Sequence, residues 1–549
     1  LPAFSLYKEG EVLVKFKAGV SSASIKSIQA NILSIEPLFE TTYKISFSKG
    51  SVEDMIATLQ GYPDVVYAEP NYIRHTCGTP NDTYFDNQWG LTKIEAPLAW
   101  DIERGSEAVK IAIIDTGVDY NHPDLKDKVI KGWDYVNDDP DPMDENGHGS
   151  HVAGIAAAST NNGTGTAGVA WNCKILAVKC FDSGGYGDDE DCALGIRYAA
   201  DNGARVINMS FGGPNYSITL NDACNYAYGT GCLLVAAAGN AGTNIKLYPA
   251  GYDNVMAIAA TDEYDQKAGF SNYGDWVDVS APGKGIYSTT RNNTYGSMSG
   301  TSMASPFVSG LAGLLFSRQG SLTNVQAEGI IKATVDNIDN PDLGAGRINA
   351  HNALKQVKPW TFMVYLDGDN DLEDAAIDDF LEMAKVGSTD KINIVVQFDR
   401  IPGYNSDHGD WTGTKMFYIT KDMTPIPGSA TMDIGEANMG NPQTLIDFVK
   451  WVKLGYPAEH YALVLWNHGG GWRNKQKGVS TKDICIDDTD GDVLYMKEVS
   501  SALASVSPID LIGFDACLMA MIEVAYQIKD FGDVMVGSEG NEPNDGWPY

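Results

Sequence analysis

Between residues 90 and 357, the runs Val109–Ile114, Lys174–Val178, Arg205–Met209, Leu233–Ala237 and Val255–Ala259 are apolar almost throughout and alternate with helical stretches. A strand with one face in water would alternate apolar and polar residues with a period of two. These runs do not alternate, so both of their faces are buried. A parallel sheet with helices on either side satisfies that demand. The expected fold class is therefore α/β, three layers deep. In open sheets of this kind ligands gather beyond the carboxyl ends of the strands, which is where reactive side chains are sought first.

The pattern restarts after Val357-Lys358-Pro359. Phe362–Leu366, Ile392–Gln397, Tyr461–Trp466 and Asp510–Phe514 read as buried strands, with helices near 371–385, 443–453 and 518–528. This is a second α/β unit. The leading segment is different in kind. Glu11–Lys17, Tyr43–Phe47 and Val65–Ala68 read as strands, and Ser21–Ala30 and Val52–Leu59 as helices, approximating a split βαβ unit without catalytic residue types. Tyr72 to Tyr84, with Gly78, Pro80 and Asn81, reads as an exposed linker. The expected domains are 1–75, 76–357 and 358–549.

Composition narrows the function. The 549 residues include 39 basic and 72 acidic side chains, a formal charge of −33. Such a field repels phosphate, which excludes unaided nucleic-acid binding and suits divalent cations. No apolar run reaches the ~18 residues of a membrane span. The start, Leu1-Pro2-Ala3, reads as a mature product after signal removal or as a fragment. Of eight cysteines, Cys173, Cys180, Cys192, Cys224 and Cys232 cluster without a C-x-x-C pair. Disulfides suited to a secreted, extracellular protein remain open, and spacing does not fix their pairing.

Three motifs carry the chemistry. Asp115 ends an apolar strand in IIDTGV, His148 follows a glycine turn in NGHGSHVAG, and Ser302 opens an apolar helix in GTSMASP. A serine hydroxyl is a weak nucleophile until an imidazole takes its proton, and a buried carboxylate must fix the imidazole tautomer. Asn240, in AAAGN, follows another strand and can donate to a developing oxyanion, with the Ser302 N–H at a helix start as second donor. His151 reads as a packing histidine.

With these residues in this order, the chain resembles the subtilisin-like serine endopeptidases of the thermitase-type branch over about 80–355. The resemblance implies Asp115, His148 and Ser302 as a triad and Asn240 as oxyanion donor, acting on protein or peptide substrates. It implies that the Ser210-Phe211-Gly212 backbone pairs with extended substrate like an added strand, that Phe211 lines an apolar pocket, and that Ala237, Ala238 and Gly239 form another pocket wall. This favours broad cleavage with a hydrophobic lean, and Phe211 as a core residue is the rival reading. It also implies structural Ca2+: a strong site from Asp82, Asp124 and Asn162 with the carbonyls of Thr160, Thr164 and Thr166. A second site is implied at Asp134, Asp139 and Asp141, where Met143 stands in place of a glutamine. Residues 1–75, ending YAEPNY, resemble subtilase propeptides, which implies an intramolecular inhibitor cut off near 73–80.

His468 and Cys517 each follow an apolar strand, 49 residues apart, so they can meet beyond the edge of a sheet. With YLDGDNDLE (365–373) and GWPY (546–549), they make residues 360–549 resemble clostripain-like cysteine peptidases of caspase-like fold. That implies cleavage after Arg or Lys, Asp515 as an acidic contact for that side chain, and calcium dependence. It also leads us to expect an activating cut within 473–482. Relatives continue beyond the GWPY motif, so the domain is expected to be incomplete. Two rival readings stay open: a non-catalytic regulatory tail on an active serine protease, and a non-catalytic scaffold.

Overall fold

The computed structural model describes residues 7–17, 32–48, 51–72, 79–469, 483–540 and 547. The chain forms two compact units, Leu1–Cys77 and Gly78–Tyr549.

In the first unit, β1 (Tyr7–Phe16), β2 (Ile32–Phe39), β3 (Thr42–Phe47) and β4 (Val65–Tyr72) form an antiparallel sheet in the order β2-β3-β1-β4. Val12, Val14 and Phe16 recur at period two and bury one face against Val52, Met55 and Leu59 of α1 (Val52–Gln60). Ser51 and Asp54 close the start of α1 with reciprocal side-chain to backbone hydrogen bonds. The sequence reading missed β2, because Leu33, Leu38 and Phe39 are exposed and the run lacks a buried face. The expected helix Ser21–Ala30 lies outside the described residues.

The second unit contains two large sheets. The first is wholly parallel, in the order β11-β10-β9-β8-β5-β7-β6. Its strands are β5 (Lys110–Asp115), β6 (Val129–Asp134), β7 (Lys174–Lys179), β8 (Val206–Met209), β9 (Leu233–Ala237), β10 (Met256–Thr261) and β11 (Val279–Pro282). Along β5, Ile111 and Ile113 enter one buried cluster, while Ala112 and Ile114 enter another on the opposite face. Helices α2 (His148–Ala157) and α5 (Thr301–Arg318) supply the first cluster, and α3 (Asp189–Asp201) and α4 (Ile218–Gly229) the second. This is the three-layer α/β fold that the uniformly apolar strands demand.

The second sheet runs β17-β16-β15-β14-β18-β21-β22. Its parallel part comprises β14 (Lys358–Gly368), β15 (Ile392–Arg400), β18 (Ala458–Trp466), β21 (Leu511–Asp515) and β22 (Val534–Gly537). β16 (Gly413–Tyr418) and β17 (Met432–Gly435) add an antiparallel edge that the sequence reading did not anticipate. Again Met363 and Tyr365 face one cluster and Val364 and Leu366 the other. A short hairpin of β19 (Asp483–Asp487) and β20 (Asp492–Tyr495) forms a separate two-stranded sheet whose Ile484, Cys485 and Leu494 pack into the Met363 cluster.

Only Val357 separates the helix Ala350–Gln356 from β14, and Arg318 fastens the junction, donating to the Val357 carbonyl at 2.9 Å and pairing with Glu459 at 2.9 Å. The seven described cysteines form no disulfide. Among the described residues, no helix is long and apolar enough to cross a membrane.

Candidate active sites

Asp115 is the last residue of β5, His148 the first of α2 and Ser302 the second of α5. Gly147, at φ 112°, supplies the left-handed turn from which α2 departs. Asp115, His148, Ser302 and Asn240 line one cleft of 510 Å3, together with Ser210, Phe211, Gly212, Ala237 and Gly239. Ala238 does not line it. Its side chain is fully buried beside Ala259 and Val277, because alternate residues of an extended chain face opposite ways.

His148 Nδ1 lies 2.7 Å from Asp115 Oδ1, which also accepts the Thr116 N–H at 2.7 Å. Burial disfavours the imidazolium, yet the charge and hydrogen bond of Asp115 outweigh it, so the pKa of His148 is raised above the ordinary value. Ser302 Oγ donates to the Ser210 carbonyl at 3.0 Å. Asn240 Oδ1 accepts from Thr301 N and Oγ1, which turns its amide nitrogen away from them. Ser302 N–H lies in the first turn of α5, where backbone donors lack helical partners. Ser210 Oγ ties the cleft wall to α5, donating to the Ser302 carbonyl at 2.9 Å. Phe211 is half-buried and packs at 4.9 Å against Phe181.

One important residue had escaped the sequence reading. Buried Asp144 accepts hydrogen bonds from Thr116 Oγ1, Gly147 N, Ser150 N and Ser150 Oγ, binding the end of β5 to the start of α2. Its signal is a carboxylate three residues before the glycine turn. His151 is buried, with Nε2 3.0 Å from the Ile286 carbonyl, and burial pulls its pKa down to about 4.

Residues 106–353 match the Subtilase family. A thermophilic serine proteinase from Bacillus sp. (strain AK1) is 48% identical over 355 residues, 63% of this chain and 88% of that protein. The chain belongs to the subtilase family. Thermitase from Thermoactinomyces vulgaris is 53% identical over 280 residues, 50% of this chain and 99% of thermitase. Subtilisin Savinase from Lederbergia lenta is 41% identical over 268 residues, 49% of this chain and 98% of that protein. Residues 5–71 match the Fervidolysin N-terminal prodomain, and residues 364–549 match the Clostripain family. The chain is thus a subtilisin-like serine protease that carries a clostripain-family domain.

The expected calcium ligands behave differently at their two places. Asp82 and Asp124 are buried, and Asp82 Oδ1 has no hydrogen-bond partner. Burial, with a contribution from the charge of Asp124, raises the Asp82 pKa. Asn162 Nδ2 lies 2.9 Å from Asp124 Oδ1, and Thr166 N–H donates to Asp124 Oδ2 at 2.9 Å. Two buried carboxylates with amide, hydroxyl and carbonyl oxygens in the adjoining 160–166 loop fit a hard cation. Asp134, Asp139 and Asp141 share one turn, where Asp134 and Asp139 exchange backbone hydrogen bonds at 2.8 Å and 3.0 Å and Asp139 Oδ1 accepts the Asp141 N–H at 2.9 Å, but their carboxylates do not gather within 4.8 Å of one another. Asp134 pairs with the buried Lys179 ammonium at 3.0 Å, while Asp141 meets Tyr120 and Lys131.

In the clostripain-family domain, Trp466 of β18 pairs with Asp515 of β21, so His468 and Cys517 each sit two residues past the same rung. A Cβ placed on Gly469 would lie 2.3 Å from the Cys517 carbonyl oxygen, which gives the closeness of the two segments. His468 Nε2 lies 2.7 Å from Asp371 Oδ1, a partner that the sequence reading did not assign. Asp515 is buried, and its Oδ2 accepts the Trp547 N–H at 3.2 Å. The proposed cut within 473–482 lies outside the described residues.

Proposed function

We propose that the chain is a secreted, calcium-stabilised zymogen built from three units, 1–75, 76–357 and 358–549, that hydrolyses peptide bonds at two sites. At the first, His148 takes the proton of Ser302 Oγ as that oxygen attacks the scissile carbonyl, and returns it to the leaving amine. Asp115 holds the imidazole tautomer and stabilises the imidazolium. Asn240 Nδ2 and the Ser302 N–H stabilise the tetrahedral oxyanion. Ser210–Gly212 pair with extended substrate, Ala237–Gly239 wall a pocket beside it, and Phe211 gives a hydrophobic lean. Asp82, Asp124 and Asn162, with carbonyls of Thr160, Thr164 and Thr166, would hold Ca2+, which neutralises the buried carboxylates.

At the second site, Cys517 is the nucleophile, His468 its base, and Asp515 the contact for a P1 Arg or Lys. Residues 1–75 act as an intramolecular inhibitor until the chain cuts itself within 73–80. The observation that carries the reading is the 2.7 Å His148–Asp115 bond in the cleft that Ser302 also lines. A fluorophosphonate probe tests it. A stoichiometric adduct on Ser302, abolished by His148→Ala, is expected; absence of an adduct after removal of 1–75 in calcium overturns it. Ser302→Ala protein that still loses its leading segment, in the absence of other proteases, overturns self-cleavage.

A further inference from the structure

The Ser302 cleft has a floor residue that the sequence reading did not assign. Leu247 lines the cleft beside Gly212, Gly239 and Asn240. Its neighbours Ile245 and Lys246 are exposed, whereas Leu247 is half-buried, on the loop that leads into Tyr248.

Two glycines fix where the leucine stands. A Cβ placed on Gly239 would lie 2.5 Å from Leu247 Cδ1, and one placed on Gly212 would lie 3.4 Å from Leu247 Cβ and 3.9 Å from Cδ1. Gly212 follows β8 and Gly239 follows β9, and these two strands are neighbours. Both glycines thus turn the face that a side chain would occupy toward the same leucine, which stands between them.

The loop is fastened to both sides. Tyr248 N–H donates to the Gly213 carbonyl at 2.8 Å, and Gly213 N–H returns a bond to the Tyr248 carbonyl at 2.9 Å. Fully buried Asn272 holds the other side. Its N–H donates to the Gly239 carbonyl at 2.9 Å, and its side-chain amide to the carbonyls of Ala238 and Ile245 at 3.1 Å and 3.3 Å. Gly251 N–H engages the Leu247 carbonyl itself at 2.7 Å. Withdrawing the leucine therefore means forcing its rotamer or breaking these bonds.

The reacting carbonyl belongs beside this floor. Ser302 Oγ donates to the Ser210 carbonyl at 3.0 Å, and Asn240 directly follows Gly239. An acyl group held between Ser302 and Asn240 has its side chain flanked by residues 210–212 and 237–239, above Leu247. A close-packed apolar floor accepts a short side chain and resists a long one, because the added volume has nowhere to go.

We propose that Leu247 sets the size of the residue that supplies the scissile carbonyl, so that the Ser302 site cuts after short side chains such as alanine in preference to phenylalanine or tyrosine. The inference deepens the proposed mechanism and rests on its placing of substrate between residues 210–212 and 237–239. Leu247 determines specificity here and takes no part in proton transfer. The lean that Phe211 gives belongs to a neighbouring part of the cleft, where its ring meets Phe181 at 4.9 Å.

The test uses the full chain carrying Cys517→Ala, allowed to mature in calcium, so that only the Ser302 site hydrolyses substrate. Two peptide anilides differ only in the residue before the scissile bond, alanine in one and phenylalanine in the other. Fluorophosphonate labelling of Ser302 counts the competent sites. The parent is expected to favour alanine in kcat/KM by about tenfold, the scale on which apolar pockets discriminate. Leu247→Ala is expected to reverse the order, raising phenylalanine about tenfold and lowering alanine, which loses its contact with the floor. Leu247→Val is expected to fall between the two, and it carries the test if Leu247→Ala does not fold.

A parent that cuts the phenylalanine anilide as fast as the alanine one, or faster, overturns the size limit. So does an unchanged ratio in labelled Leu247→Ala or Leu247→Val protein. A parent that takes no label overturns the assignment of Ser302 as nucleophile, and the size limit with it.

Discussion

Thr301 decides which end of Asn240 faces the cleft. Its N–H and hydroxyl both engage Asn240 Oδ1, at 2.8 Å and 3.0 Å. A backbone N–H can only donate, so the amide must present its oxygen there and its nitrogen elsewhere. Asn240→Ala is expected to lower kcat by about 10²–10³, the magnitude known for one oxyanion donor in subtilisin itself. Thr301→Val keeps the N–H bond and should lose less. Steady-state hydrolysis of a peptide anilide, with KM nearly constant, checks both.

Because Asp115 holds the His148 pKa above the ordinary value, the acid limb of kcat/KM should lie above pH 6.5. The base works only when unprotonated, so activity is lost as pH falls through that raised value. Asp115→Asn removes the raising interaction and leaves burial, which lowers the pKa. The acid limb should then move to lower pH while kcat drops about 10⁴-fold. A pH–rate profile of the two proteins decides it.

Chelation should destabilise the subtilase part through Asp82 and Asp124. If calcium stands at 100 times its Kd, the loss is about 2.7 kcal/mol. Asp82→Asn removes a buried, unpaired carboxylate oxygen from the cluster. The variant should melt lower than the parent in calcium and no lower than it in chelator. Calorimetry in both conditions reads the sign.

Gly469 has no room for a side chain, since a Cβ would lie 2.3 Å from the Cys517 carbonyl oxygen and 2.9 Å from its nitrogen. Both are backbone atoms that cannot swing aside. Gly469→Ala should displace His468 from Cys517 and slow active-site alkylation about 100-fold. Hydrolysis at the Ser302 site should be unchanged, which separates a local shift from general unfolding.

Asp379 accepts the Trp466 indole N–H at 2.6 Å, and burial pushes its pKa up to about 8 from 3.8. The folded state therefore holds a proton that the unfolded chain releases. Its contribution to stability is full below about pH 4 and is lost as pH rises through about 8. Asp379→Asn should flatten that dependence, which urea midpoints at pH 5 and pH 8 will detect.

The sequence by itself determined the buried parallel strands and the chemistry of the triad motifs, though not β2, β16 or β17, which have no uniformly apolar run. Uniformly apolar strands demanded sheets covered on both faces, and the motifs around Asp115, His148 and Ser302 are local enough to read from the chain. The expected partition of Phe211 between core and cleft resolves into both, since one ring can pack against Phe181 and still border the cavity. What the tertiary structure decided are pairings between distant residues. The turn of Ala238 into the core, the union of Asp134 with Lys179, and the grip of Asp144 on α2 depend on which strands are neighbours. So does the meeting of Asp369, Asp399, Glu436 and Asp487, spread over more than a hundred residues. Hydrophobic periodicity encodes which face of an element is buried; it carries no record of which element lies against that face.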